Sequence, residues 1–151
     1  MSAEYQILDV IPHGQPMSLL DHILRFDEQS LVAGVTIRPD SLFCESDGVP
    51  SWVGIEYMGQ AIAAWAGVMA REQGDPVKIG FLVSCRRYTS PVSHFPIGSE
   101  LRVSVRQITE NTTGLQVFAC KITGEQLEIS ANLNVFMPED ATAFLEGVTH
   151  E

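Results

Sequence analysis

Positive charge is scarce in this chain. Its 151 residues carry 9 Lys and Arg against 19 Asp and Glu, a formal net charge of −10. Phosphate backbones and anionic membranes repel such a surface, so nucleic acid is not an expected partner. Paired cysteines are also missing. Cys44, Cys85 and Cys120 are scattered, with no CxxC pair and no metal-ligand spacing. They read as reduced thiols of a cytoplasmic protein that needs no metal and no cofactor. The start, MSAEYQILDVIP, has neither a basic n-region nor a continuous apolar h-region, so no signal peptide is expected. The Asn111-Thr112-Thr113 sequon is then without consequence. Repeats, low-complexity tracts and linkers are absent. The length fits one domain over residues 1–151, with an acidic tail at 138–151.

What the chain does have is one long apolar run. Residues 50–70 read PSWVGIEYMGQAIAAWAGVMA, with Glu56 as the single acid. At helical period Trp52, Glu56, Gln60, Ala63 and Gly67 fall on one stripe. A carboxylate in so apolar a helix is costly to ionise unless something nearby stabilises the charge. Glu56 is therefore the first candidate for chemistry. The plainer alternative is an acid exposed where the helix emerges, or one neutralised by an arginine. A membrane span needs roughly 20 apolar residues. Here Ala and Gly dominate, Glu56 and Gln60 interrupt the run, and no positive cluster flanks it, so no span is expected. Gly54, Gly59, Ala63 and Gly67 suit a central helix gripped closely by a curved sheet.

The remaining pattern is mostly strand. Met17 to Phe26 reads as a short helical turn running into a strand, and Ser30 to Arg38 as a strand by its β-branched content. Pro39 to Val49 is loop-like, and Gly74-Asp75-Pro76 ends the helix. Lys78 to Tyr88 is a further strand. Leu101 to Ile108 alternates, with Leu101, Val103 and Val105 inward and Arg102, Ser104 and Arg106 outward. Leu115 to Ile122 and Glu128 to Met137 complete two hairpins. The 45% hydrophobic content supports a real core. A helix apolar all round must be buried, and one antiparallel sheet buries it only by wrapping around it. The expected fold is α+β: a hotdog, a curved antiparallel sheet around one long central helix. One side of the helix stays open in such a fold, so a dimer is expected, with Glu56 at the subunit interface facing a narrow apolar tunnel.

Two segments carry a family resemblance. Residues 11–21, IPHGQPMSLLD, resemble the LPHRYPFLLVD-type opening of the 3-hydroxyacyl-[acyl-carrier-protein] dehydratases. Residues 49–61, VPSWVGIEYMGQA, are similar to their MPGVLIVEAMAQA helix, with proline, acid, methionine, glutamine and alanine in register. Phe81 to Leu101 resembles their following strand and PGD-L segment more loosely. The ApeP-like branch, dehydratase-type proteins of aryl polyene gene clusters, shows a PH-G-M-LLD opening, a GIEYMAQA helix and a GFL-R stretch very similar to this sequence.

The resemblance implies a lyase that removes water from 3-hydroxyacyl thioesters in fatty acid or polyene synthesis. A base takes the proton next to the carbonyl, an acid assists the leaving hydroxyl, and amides at the helix start polarise the thioester. Glu56 matches the family's helix acid. The family's histidine, in an HFPG motif, falls where this chain has Leu42, and no histidine occurs between His22 and His94. Three sources of a base stay open: His13 from the opening loop, His94 in Ser93-His94-Phe95-Pro96, or another hotdog subunit. The catalytic candidates are thus Glu56 and His13, and the substrate-binding candidates are Pro50, Ser51, Trp52 and Gln60. Arg86-Arg87 is the one adjacent basic pair, suited to a pantetheine phosphate or to balancing acids on a sheet face. The implied partners are an acyl carrier protein and a second hotdog chain, as a homodimer or heterodimer. Two alternatives to an independent enzyme are a non-catalytic subunit of a heteromeric dehydratase and an acyl thioesterase.

Overall fold

Strict alternation of inward apolar and outward polar residues builds the sheet. The computed structural model describes residues 18–74, 81–86, 88–110 and 115–136. In chain order the elements are β1 (His22–Phe26), β2 (Ser30–Thr36), β3 (Val49–Pro50) and α1 (Val53–Glu72). They continue with β4 (Phe81–Arg86), β5 (His94–Phe95), β6 (Glu100–Glu110), β7 (Leu115–Gly124) and β8 (Leu127–Phe136). Six strands form one antiparallel sheet in the order β1-β2-β6-β7-β8-β4. This is an α+β hotdog, the sheet wrapped around α1. No helix among the described residues is long and apolar enough to cross a membrane.

The inward rows meet over the helix. Leu31, Ala33 and Val35 of β2, Leu101, Val103 and Val105 of β6, Phe118 and Ile122 of β7, and Ile129 and Leu133 of β8 are buried against Val53, Tyr57, Met58, Ala61, Ile62 and Val68. Trp65 meets Phe118 edge-on, with ring centroids 5.4 Å apart. The shape makes burial one-sided: the sheet seals one flank of α1 and leaves the other partly covered.

Several boundaries differ from the expected ones, for local reasons. Residues 18–20 form no helical turn; Leu19 and Leu20 pack into the core as the chain enters β1. The helix starts at Val53, because Val49 and Pro50 pair with Phe95 and His94 as a two-residue ribbon. Such short pairings are invisible to periodicity. Gly74 stops the helix as expected, at φ +73 with its N–H on the Arg71 carbonyl. β2 ends at Thr36, two residues early, where Ile37 turns to pair with the loop before β6. The β7–β8 hairpin closes through Glu125-Gln126, with Gln126 at φ +58. Residues 111–114 and the tail from 137 lie outside the described residues.

Candidate active site

The helix start is held from three directions. Ser51 N–H donates to the Ser93 carbonyl at 2.9 Å, extending the β3–β5 ribbon. The Tyr88 hydroxyl donates a hydrogen bond to the Ser51 carbonyl. A Cβ on Gly54 would collide with that hydroxyl, so only glycine fits there. Burial pushes the Tyr88 pKa up to about 12, which keeps the hydroxyl a donor. Gly48, at φ +117, lets the loop pass against the Phe95 carbonyl. Pro50 and Ser51 thus frame a rigid helix N-terminus, whose dipole favours negative charge in the first turn.

Glu56 occupies that first turn. Its side chain is half-buried and makes no hydrogen bond or ion pair among the described residues. It stands on the open flank of α1 with Trp52, Ile55, Gly59 and Ala63, none of them buried. Gly59 has no neighbour within 4 Å of an added Cβ. The expected stripe therefore splits. Trp52, Glu56 and Ala63 share the open flank, whereas Gln60 and Gly67 are buried, because four residues of helix overshoot one turn by about 40° and the stripe drifts toward the sheet.

Gln60 is buried and ties the chain to itself at one point. Its Oε1 accepts the Leu19 N–H at 2.7 Å, across forty-one residues of sequence. Asp21 secures the same segment, with Oδ2 accepting the Thr36 N–H at 2.7 Å and Arg38 standing 3.5 Å away. Between these anchors opens a cleft of about 250 Å³, walled by Asp21, Arg38, Leu42 and Tyr57 among others. Burial pushes the Tyr57 pKa up, with the Asp21 charge adding to it, so this phenol stays protonated. Neither Tyr57, Tyr88 nor Gln60's structural bond was legible in the sequence. The -LLD- end of the opening motif is the one signal that pointed to Asp21.

The position matching the family histidine is apolar. Leu42 is partly exposed beside Phe43, which holds φ +68, a strained conformation for an aromatic residue. Phe43 is 41% and Trp52 59% exposed, and their rings lie 5.5 Å apart. The two described histidines are engaged elsewhere. The His22 ring covers Gly34 on the outer sheet face. His94 places Nε2 at 2.8 Å from Glu45 Oε1 and Nδ1 at 3.0 Å from Ser93 Oγ. Arg86 sits in edge strand β4, in register with Asn132. His13 and Arg87 lie outside the described residues. Among the described residues no His, Cys, Asp and Glu are gathered to hold a metal.

The family model of the ApeP-like proteins, described as ApeP dehydratase, matches residues 5–146, so the chain belongs to that family. Among solved structures, it is similar to the dehydratase heterocomplex ApeI:P from Xenorhabdus doucetiae. That match has 25% identity and a TM-score of 0.87, covering 97% of this chain and 99% of the other. AziG from S. sahachiroi is similar in fold, at 15% identity and a TM-score of 0.58, with 78% and 90% covered. A hypothetical thioesterase with coenzyme A from Streptococcus pneumoniae TIGR4 is likewise similar in fold, at 11% identity and a TM-score of 0.55, with 77% and 86% covered. No curated protein matches the chain by sequence.

Proposed function

We propose that this member of the ApeP-like dehydratase family is one hotdog subunit of a two-chain enzyme. That enzyme removes water from 3-hydroxyacyl thioesters borne by an acyl carrier protein. One observation carries the reading: Glu56 stands half-buried and unpaired among the described residues, on an open helix flank, while the family histidine's place is filled by Leu42. Half of a proton-transfer pair is present and the other half is not in its usual place. The similarity to a heterocomplex supports a partner chain as the source of the imidazole.

In this reading Glu56 handles the proton at the leaving hydroxyl, and the partner's imidazole takes the proton next to the carbonyl. The clamped helix start presents backbone amides to the thioester oxygen. Pro50, Ser51 and Trp52 frame that end of the substrate. Gln60 acts at one remove, by fixing residues 18–20 beside the site. Arg86 and Arg87 take the pantetheine phosphate. His13 is the second candidate for the base.

The test is reconstitution. The chain alone is expected to turn over no 3-hydroxyacyl carrier-protein thioester, and adding the second hotdog subunit restores dehydration. Light scattering should show a complex of at least two chains, burying more than about 1,200 Å². Full activity from a stable monomer would overturn the two-chain reading. Activity of the chain alone that is lost in His13→Ala would move the base to His13.

A further inference from the structure

The outer face of the sheet gathers positive charge that the composition as a whole lacks. Strand register brings its residues into rows. The first row runs His22, Gly34, Arg102, Thr123, Glu128. The second runs Arg25, Val32, Ser104, Lys121, Ser130. The third runs Ser30, Arg106, Ala119, Asn132, with Arg86 in register at the edge. Arg25, Arg102, Arg106 and Lys121, four of the nine cations of a chain with net charge −10, are exposed on this one surface. The residues between them are mostly small or polar, so the face is flat.

These charges are only partly neutralised. Lys121 pairs with Glu128 at 3.4 Å. Arg106 donates to the neutral Gln29 amide at 3.0 Å, with Asp27 in its field. Among the described residues, neither Arg25 nor Arg102 has an acid within ion-pair distance. Glu100 marks the end of the face, opposite Thr36. Asp21, beside the first row, and Asp40 both pair with Arg38, and Glu45 pairs with His94. Strand β6 carries outward Arg102 and Arg106 either side of Ser104, neighbouring β7 adds Lys121, and β1 adds Arg25 beyond β2, a local field opposed to that of the whole molecule.

We infer that this outer sheet face docks an acidic protein. On the proposed function that protein is the carrier bearing the acyl chain; the occupant's identity rests on that reading, the charged surface does not. Charge complementarity selects the class. A compact acidic protein matches a patch a few strands wide, whereas a long polyanion would run past it onto the acidic remainder. The surface is also separate from the open flank of α1, so a second hotdog chain and the acidic protein do not compete for one place.

The experiment measures binding of the apo carrier protein, without pantetheine or acyl chain, to the two-chain complex by fluorescence anisotropy. Arg102→Glu with Arg106→Glu is expected to weaken binding by roughly tenfold or more, since reversal at two positions turns attraction into repulsion. Raising salt to about 0.5 M should erase most of the difference, because screening then acts within a few ångströms. Arg102→Gln with Arg106→Gln, milder for the fold, should fall between. Turnover of a small N-acetylcysteamine thioester, which needs no docking, should stay within twofold in both variants. Unchanged carrier affinity in the reversed variant would overturn the inference while leaving the proposed function intact. Carrier binding lost on reversal, with no thioester turned over by any form, would keep the docking face and remove the dehydratase. Tighter binding of duplex DNA than of the carrier protein would assign the face to nucleic acid and overturn it.

Discussion

The two flanks of α1 share a vocabulary of small and apolar residues, yet meet opposite surroundings. Val53, Tyr57, Met58, Ala61, Ile62, Ala64, Trp65 and Val68 are sealed beneath the sheet. Trp52, Ile55, Glu56, Gly59 and Ala63, interleaved with them, face outward. Composition does not separate these sets; angular position on one helix does. A curved sheet covers a helix from one side only; on the proposed function the less covered side is where a second chain brings its groups. Glu56, the one acid of the apolar run, stands on that side. On that reading packing stability and chemistry fall on opposite flanks, and the contrast can be tested by substitutions on each.

The largest effect is expected on the open flank, in rate rather than in stability. Glu56→Gln keeps the shape and removes the titrating group. Dehydration by the reconstituted complex should fall by about 10²–10⁴-fold, with the melting temperature of the chain unchanged within error. Activity within a fewfold of the parent would take Glu56 out of the reaction. The mirror experiment is Met58→Ala on the sealed flank. Met58 is fully buried, so its truncation should destabilise the chain by about 2–5 kcal/mol in denaturant titrations. Ala63→Ser on the open flank should stay within about 0.5 kcal/mol.

A smaller effect concerns the clamp on the helix start. The Tyr88 pKa is raised in the folded chain to about 12, against an ordinary value of 10.0. The folded state therefore disfavours the phenolate. The stability tied to this group is complete below pH 10 and is lost as pH rises from there through 12. Buried Tyr57, shifted in the same direction, adds to the loss. Urea midpoints measured across this window should decline, and Tyr88→Phe should make the decline shallower. An equal slope in that variant would remove Tyr88 from the account. The smallest effect separates the flanks most cleanly. Gly59→Ala places a methyl in open space at a helix-interior position, so the isolated chain should gain up to about 1 kcal/mol. The same methyl on Gly54 meets the Tyr88 hydroxyl and should destabilise it. A loss at Gly59 matching that at Gly54 would mean that the flank is not open.

Much of this architecture was legible in the residues because it rests on local periodicity. The alternation of Leu101, Val103 and Val105 against Arg102, Ser104 and Arg106 assigns β6 two faces before any partner strand is known, since successive strand residues point opposite ways. The long apolar run announces a buried helix, and the one acid within it marks the candidate site. Gly74 marks the helix end because it tolerates a left-handed turn. Tertiary structure decided what depends on distant pairing. Gln60 accepts the Leu19 N–H, because the segment before β1 crosses the helix there. The β3–β5 ribbon is two residues long on each side, too short for any period to register. Arg25, Arg102, Arg106 and Lys121 come from three strands, so only strand order and register make one basic surface of them. Periodicity tells a side chain which way to point relative to its own element; which neighbours it meets is determined only when the elements are brought together.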